Sequence, residues 1–202
     1  MPQTIHLFVF DTLADWEPGF AVAGINNPEG QKAPGRYRIR TVGVTRDPIT
    51  TIGGVRIQPD LSLDRLQPVE SAMLILPGGE RWDHSGNMEA VEKAKAFLAA
   101  GVPVAAICGA TAGLARGGVL DTRKHTSNAP DYLAATGYQG AHLYQTADVV
   151  SDQNLISASG MKSLEFAREI FARLDLYEDK VLDAWYGLFK TGDLKYYAAL
   201  AG

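Results

Sequence analysis

The sequence predicts an α/β protein in which helices flank a doubly wound, mostly parallel β-sheet. Short apolar runs recur at residues 5–10, 72–76 and 103–107, as expected of parallel strands that are buried on both faces. Segments of helical length follow each run, and this β/α alternation is typical of a parallel sheet. Gly and Pro separate the segments, which indicates short surface turns.

The size and composition indicate one folded domain. The chain has 202 residues, of which 46% are hydrophobic and 21% are charged, values that are ordinary for a globular protein. We therefore predict a single domain over residues 1–202. Aromatic side chains recur at roughly helical spacing in residues 177–202, which predicts a helical C-terminal extension packed on the body or on a partner subunit.

The first half of the chain reads as two strands, a helix and a hairpin. Residues 5–10 predict the first central strand, and Asp11 or Asp15 is positioned to cap a helix over residues 16–25. A Gly- and Pro-rich loop and a second strand follow, and the Gly53-Gly54 pair indicates a short hairpin.

The second half repeats the strand-to-helix pattern twice. The strand over residues 72–76 leads into Pro77-Gly78-Gly79 and then a helix over 88–100. The strand over 103–107 is followed at once by Cys108 and a helix of small residues. A hairpin across 152–154 and a helix over 162–174 complete the pattern.

Charge and motif content exclude several function classes. The net charge is −4 and the basic residues are scattered, so we expect no nucleic-acid partner. No segment has the length of a signal sequence or membrane span, which favours a cytoplasmic protein without membrane contact. No metal-ligand spacing, Gly-x-Gly-x-x-Gly or phosphate-binding loop is present, so we predict neither a metal nor a nucleotide cofactor.

Cys108 is the only cysteine and lies where a buried strand turns into a helix. A side chain at such a bend is directed outward beside the unpaired N–H groups of the helix. Those groups and the helix dipole favour a thiolate and lower the pKa of a thiol. The alternative is an inert core thiol, since free cysteine is often buried. The small residues after Cys108 favour the exposed bend.

Several spaced motifs resemble the DJ/PfpI family of the class I glutamine-amidotransferase-like superfamily, which includes the Parkinsonism-associated deglycase and the PfpI intracellular protease. They are Leu74-Ile75-Leu76-Pro77-Gly78-Gly79, Ala105-Ala106-Ile107-Cys108-Gly109-Ala110, Asp15-Trp16-Glu17, His125 and the segment 155–171. The resemblance covers most of the chain and implies a flavodoxin-like sheet with a nucleophile elbow.

The resemblance implies roles for five residues. Cys108 would be the nucleophile, and Glu17 would lie within hydrogen-bond reach of it with a pKa raised by burial. Backbone N–H groups at Gly79 and Gly109 would form an oxyanion hole, and His125 would act as a base or a polar partner. Without the family, Glu17 reads as a first-turn helix residue, Gly79 as part of a turn and His125 as a surface residue.

Two departures narrow the function. The triplet Ser163-Leu164-Glu165 lacks the histidine of a glutamine amidotransferase, and Gly109 replaces the histidine that follows the cysteine in the PfpI branch. What remains resembles the branch of the family with Glu, Cys and His. That resemblance implies a cofactor-free enzyme, glyoxalase-, deglycase- or amidase-like, in which Cys108 adds to a small electrophile such as a 2-oxoaldehyde. The alternatives are a thiol-based oxidative-stress sensor without turnover and a non-catalytic binding module. The resemblance also implies a homodimer.

Overall fold

The structure is a computed structural model that describes residues 2–200. Seven of its strands form one sheet with the order β5-β2-β1-β6-β7-β9-β8, and the remaining two form a small antiparallel hairpin. All neighbours in the large sheet are parallel except β8 and β9. The strands are β1 (Gln3–Phe8), β2 (Tyr37–Gly43), β3 (Ile49–Thr50), β4 (Arg56–Ile57), β5 (Leu61–Ser62), β6 (Met73–Leu76), β7 (Val104–Ile107), β8 (Val149–Asp152) and β9 (Leu155–Ala158).

Helices cover both faces of this sheet. They are α1 (Trp16–Asn26), α2 (Met88–Ala99), α3 (Gly109–Arg116), α4 (Pro130–Ala134), α5 (Ser163–Arg173), α6 (Asp179–Thr191) and α7 (Tyr197–Leu200). The chain moves one way along the sheet from β1 to β2 and the other way from β6 to β7. Because parallel crossovers are right-handed, α1 and α2 lie on opposite faces. This confirms the doubly wound fold that the sequence predicts.

The central strands are buried along their whole length. Every side chain of β6 and β7 is inaccessible to solvent, which is the burial expected of parallel strands between two helical layers. The apolar runs therefore indicated the centre of the sheet correctly. The two-residue strand β5 carries no apolar run, and the sequence did not predict it.

The cap of α1 differs from the sequence prediction. Asp15 occupies the N-cap position, but its side chain makes no capping hydrogen bond. It accepts hydrogen bonds from Thr51 Oγ1 (2.6 Å) and Gly53 N (2.8 Å) instead. Asp15 therefore ties the hairpin of β3 and β4 to the start of α1, close to Glu17.

The aromatic C-terminal segment packs on the body of the protein. The Trp185 ring lies 5.0 Å from that of Phe171 and 6.1 Å from that of Phe20. Phe189 also contacts Phe20 (5.3 Å) but stays 55% exposed. Residues 201–202 of the predicted extension lie outside the described residues. Within residues 2–200, no helix combines the length and apolar character needed to cross a bilayer.

Candidate active site

Cys108 is the single residue between β7, which ends at Ile107, and α3, which begins at Gly109. Its backbone has φ 56° and ψ −124°, a conformation that costs a non-glycine residue about 1–3 kcal/mol. The hydrogen bond from Cys108 N to Ala158 O (3.0 Å) holds it on β9. The strained bend leaves the thiol half-buried at the carboxyl edge of the sheet, where α/β proteins bind ligands.

Glu17 reaches the thiol from the first turn of α1. Its side chain is buried, with 1% of the residue exposed, and one carboxyl oxygen, Oε2, accepts a hydrogen bond from Gly78 N (2.5 Å). Its other carboxyl oxygen, Oε1, and Cys108 Sγ flank the same point, since a Cβ atom on Gly160 would lie 3.1 Å from the former and 2.7 Å from the latter. The residue that reads as an ordinary helix glutamate is therefore a direct neighbour of the nucleophile candidate.

Two glycines leave the space that this contact needs. A Cβ atom on Gly78 would lie 2.6 Å from the Cβ atom of Cys108 and 2.7 Å from Glu17 Oε2. A Cβ atom on Gly160 would lie 2.7 Å from Cys108 Sγ. Real Cβ atoms are essentially never closer than 3.0 Å to such neighbours. Gly160 was not predicted as a site residue, since Gly160-Met161 reads as a plain turn after β9.

Asn128 is a second site residue that sequence reasoning missed. Its Nδ2 donates to Cys108 Sγ (3.3 Å), and its Oδ1 accepts from Gly160 N (2.8 Å). The second bond fixes the amide so that its donor side faces sulfur. In the sequence, Asn128-Ala129-Pro130 is an ordinary turn signal, so no local pattern distinguishes this role.

The two predicted oxyanion-hole glycines are adjacent in space. A Cβ atom on Gly109 would lie 3.1 Å from Gly79 O. The Gly109 N–H is hydrogen-bonded to the Cys108 side chain. The Gly79 N–H finds no acceptor within residues 2–200, so it is free to bind a substrate oxygen. Their role in stabilising an oxyanion stays a prediction.

His125 makes its hydrogen bonds outside this cluster. It is fully buried, and its ring nitrogens contact Arg123 O (2.7 Å, Nδ1) and Tyr138 Oη (3.1 Å, Nε2). Burial lowers its pKa. In the described part of the chain it makes no hydrogen bond with Cys108 or Glu17, and Asn128 occupies the position beside sulfur. The expected catalytic role of His125 therefore has no contact to support it.

Glu165, the last residue of the Ser163-Leu164-Glu165 triplet, lies in the first turn of α5. Glu165 accepts hydrogen bonds from Tyr186 (3.0 Å) and Lys190 (2.5 Å), so it joins α5 to α6 rather than serving the thiol. Among residues 2–200, no three His, Cys, Asp or Glu side chains are placed to hold a metal ion.

Cys108 and Glu17 titrate as a pair. Burial raises the pKa of Glu17 to about 7. Burial and then the ionised Glu17 raise the pKa of Cys108 to about 12, against hydrogen bonds from Asn128 and Gly109 that lower it. The helix-dipole argument from sequence, which predicted a lowered pKa for the thiol, omitted this desolvation. The pair therefore gives up one proton near neutrality and holds the second into strong alkali, since two adjacent buried anions repel.

The pH dependence of Cys108 alkylation by iodoacetamide is expected to change when Glu17 is replaced. In Glu17→Gln the side chain mimics the neutral carboxyl group but cannot ionise, so the first proton must leave the buried thiol. Because the ionised Glu17 carboxylate helps to raise the pKa of Cys108 to about 12 in the wild type, we expect the alkylation midpoint of the variant to move to lower pH by about one unit or more. The pH dependence of alkylation measured by mass spectrometry checks this. An unchanged midpoint would show that the charge on Glu17 does not act on the thiol.

The free energy of unfolding is expected to depend on pH through Glu17. The folded pKa of Glu17 is raised from 4.5 to about 7, so folding favours its protonated form. This contribution is complete below about pH 4.5 and is lost as the pH rises through about 7. We therefore expect the free energy of unfolding of Glu17→Gln, relative to that of the wild type, to increase by about 2 kcal/mol as the pH rises from about 5 to about 8. Urea unfolding of both proteins at each pH measures it, and a pH-independent difference contradicts it.

A small cavity opens beside the thiol cluster. It has a volume of about 330 Å³ and includes Asn128, Ser127, Tyr144, Ser159 and Lys162 in its lining. Lys162 forms a salt bridge with Asp148 (3.0 Å), so the charge of this wall is balanced. The volume lies at the lower end of the range for small-molecule sites.

Comparison with protein families gives a match to the model described as DJ-1/PfpI family over residues 3–173. A Bacillus subtilis protein named an uncharacterized protease is 40% identical over 208 residues, which cover 98% of this chain and 96% of that protein. A Pyrococcus horikoshii protein named a deglycase is 34% identical over 125 residues, which cover 60% of this chain and 73% of that protein.

Two solved structures superpose on nearly the whole of this chain. The ThiJ/PfpI family protein from Bacillus anthracis superposes with a TM-score of 0.92 at 42% identity, covering 100% of this chain and 96% of its own. A DJ-1 superfamily protein from Agrobacterium tumefaciens gives a TM-score of 0.83 at 30% identity, with 94% and 97% coverage.

Proposed function

Because the chain belongs to the DJ-1/PfpI family, we propose that it is a cofactor-free enzyme in which Cys108, assisted by Glu17, attacks a small electrophile. Relatives named protease and deglycase make a cysteine-dependent, hydrolase-like activity plausible. The observation that carries the proposal is the placement of the buried Glu17 carboxyl group beside the Cys108 side chain at a strained bend. Strain of this kind persists where the surrounding structure enforces it, commonly at active sites.

The chemistry begins with proton transfer inside the pair. The thiol proton passes to the Glu17 carboxylate as sulfur attacks the substrate carbon, which forms one S–C bond and turns the carbonyl oxygen into an oxyanion. The donor of Asn128 stabilises the charge on sulfur before attack. We assign the oxyanion to the N–H groups of Gly79, which has no acceptor within residues 2–200, and of Gly109, which would exchange its contact with sulfur for the oxyanion. One such donor contributes about 3 kcal/mol.

For a 2-oxoaldehyde, the first product is a hemithioacetal. Glu17 returns its proton to the oxyanion and, as a carboxylate again, takes the proton from the former aldehyde carbon. It delivers that proton to the neighbouring carbon, and the hydroxyl proton of the hemithioacetal passes to the former ketone oxygen. The first carbon is thereby oxidised to a thioester while the ketone is reduced to an alcohol. Water then cleaves the thioester, which gives a 2-hydroxy acid and regenerates the thiol. No external oxidant or reductant enters.

The test is turnover without any added cofactor. Purified protein is incubated with a 2-oxoaldehyde, and the 2-hydroxy acid is quantified by chromatography. Multiple turnovers per protein support the enzyme, whereas loss of the aldehyde in amounts no greater than the protein would sink it. Because relatives carry the name deglycase, an adduct of the same aldehyde with a free amine is the second substrate to assay.

One observation supports the alternative function, a thiol-based sensor of oxidative stress. The thiol is half-buried, not sealed, and the N–H of Gly109 and the amide of Asn128 already point at sulfur, where they would stabilise an oxidised cysteine. Stoichiometric oxidation by peroxide without aldehyde turnover would favour this function.

We also propose a cytoplasmic homodimer, for which the exposed apolar side chains Trp16, Phe189 and Leu194 offer a surface.

A further inference from the structure

The backbone carbonyl of Cys108 accepts two hydrogen bonds from one residue. Thr111 lies in the first turn of α3, and both its backbone N–H (3.0 Å) and its side-chain hydroxyl (2.6 Å) donate to Cys108 O. The direction of this carbonyl follows the ψ angle of Cys108, which is −124° with a φ of 56°. A non-glycine residue keeps such a conformation only where its surroundings enforce it. The two donors of Thr111 therefore help to enforce the bend that carries the thiol.

The Thr111 hydroxyl is itself fixed by a residue outside its helix. Its oxygen lies 2.6 Å from Ser127 Oγ, and both residues are buried, with 0% and 3% of their surface exposed. A hydroxyl has one hydrogen to donate, and the hydrogen of Thr111 goes to Cys108 O. Ser127 is therefore the donor of the second bond. The hydrogen bonds run in one direction, from Ser127 to Thr111 and from Thr111 to Cys108.

The segment that contains Ser127 also contacts the sulfur. Asn128, the next residue, donates through Nδ2 to Cys108 Sγ (3.3 Å). Two adjacent residues thus fix Cys108 at both ends, the carbonyl through Thr111 and the thiol directly. A threonine hydroxyl that bonds the carbonyl three residues earlier is a common local feature of helices. The bond from Ser127, which is 16 positions from Thr111, is a tertiary contact that this local feature does not require.

We propose that Thr111 and Ser127 are positioning residues for the nucleophile, whose hydroxyls fix the Cys108 backbone so that the sulfur stays beside Glu17 and Asn128. The inference rests on the proposed function, since it gives the two hydroxyls a role in the reaction of Cys108. Without them the bend relaxes and the sulfur moves away from its base. Displacement of a reacting group by about 1 Å costs up to about 100-fold in rate.

Thr111→Val and Thr111→Ser test the first hydroxyl, because valine keeps the shape of the side chain and serine keeps the hydroxyl. We expect Thr111→Val to lower kcat for a 2-oxoaldehyde by about tenfold to about 100-fold and to leave KM within about twofold, since the fully buried Thr111 cannot contact substrate. Thr111→Ser is expected to restore kcat to within about threefold of the wild type.

The pH midpoint of Cys108 alkylation by iodoacetamide gives a second readout, which needs no turnover. Burial and the ionised Glu17 raise the pKa of Cys108 to about 12, and a displaced thiol loses part of both effects. We therefore expect the midpoint of Thr111→Val to fall by about one pH unit or more. A thiol that ionises more easily and yet reacts more slowly with substrate is the signature of lost positioning.

Thr126→Val is the matched control. Thr126 is 1% exposed, and its hydroxyl donates to Ala147 O (2.8 Å), so this variant loses a buried hydrogen bond of the same kind that leads to β8 and not to Cys108. We expect thermal melts to show a loss of stability similar to that of Thr111→Val. The alkylation midpoint and kcat are expected to stay at their wild-type values.

Ser127→Ala tests the second hydroxyl without a change in α3. It is expected to lower kcat about tenfold, and the double variant with Thr111→Val no further than Thr111→Val alone, because Ser127 acts through Thr111. Unchanged midpoint and kcat in Thr111→Val, equal losses in Thr126→Val, no rescue by Thr111→Ser, or additive effects of the two hydroxyls would each overturn the proposal. If the wild type shows no turnover, the proposed function fails, and the alkylation midpoints alone still decide the positioning role.

Discussion

Cys108→Ser is expected to reduce kcat/KM for a 2-oxoaldehyde by about 10³-fold or more, with no loss of fold. Removing a catalytic nucleophile costs up to about 10⁶-fold in enzymes where it has been measured. The serine hydroxyl is far less acidic than a thiol, so even the Glu17 carboxylate, whose pKa is raised to about 7, generates the attacking oxygen nucleophile much less readily than it generates a thiolate. Turnover assays with matched thermal melts measure both properties.

The Cys108→Ser variant distinguishes the enzyme function from the sensor function. Because Cys108 is the only cysteine, no second thiol can carry residual activity. Retention of more than about a tenth of the wild-type rate would remove Cys108 from the chemistry, since a lost nucleophile costs far more. If neither protein turns over substrate but only the wild type consumes peroxide, the sensor function stands in place of the enzyme.

Gly78→Ala is expected to destabilise the protein by about 3 kcal/mol and to abolish turnover. The new methyl group would lie 2.6 Å from the Cβ atom of Cys108, 2.7 Å from Glu17 Oε2 and 2.9 Å from Gly109 N. Two of these neighbours are backbone or Cβ atoms that cannot rotate away, and the third is fixed by the hydrogen bond from Gly78 N. The clash therefore separates the catalytic pair.

Gly19→Ala is the matched control. Gly19 lies in α1, near Glu17, and a Cβ atom there meets nothing within 4 Å. A helical glycine replaced by alanine gains about 0.5–1 kcal/mol, so this variant is expected to be slightly more stable and fully active. Urea unfolding and turnover of both variants decide the matter. Equal stability of Gly78→Ala and the wild type would show that the site is looser than described.

Local pattern was enough to locate the elements that carry the site. The apolar runs of β1, β6 and β7 and the small residues after Cys108 are features of neighbours in sequence, and burial on both faces of a parallel sheet accounts for them. The sequence therefore determined the fold class, the bend at Cys108 and the helix boundaries to within a few residues. The family resemblance added Glu17, which no local pattern distinguishes from a helix-stabilising residue.

Only the tertiary structure decided what surrounds the thiol. Asn128 and Gly160 reach Cys108 from loops 20 and 52 positions later in the sequence, and such contacts depend on how the strands are ordered. His125, predicted as a base or a polar partner for the substrate, is buried and contacts Tyr138, and its catalytic role stays a prediction. The raised pKa values of Cys108 and Glu17 are likewise a tertiary property, because desolvation, the largest cause of both shifts, follows from packing and not from residue type.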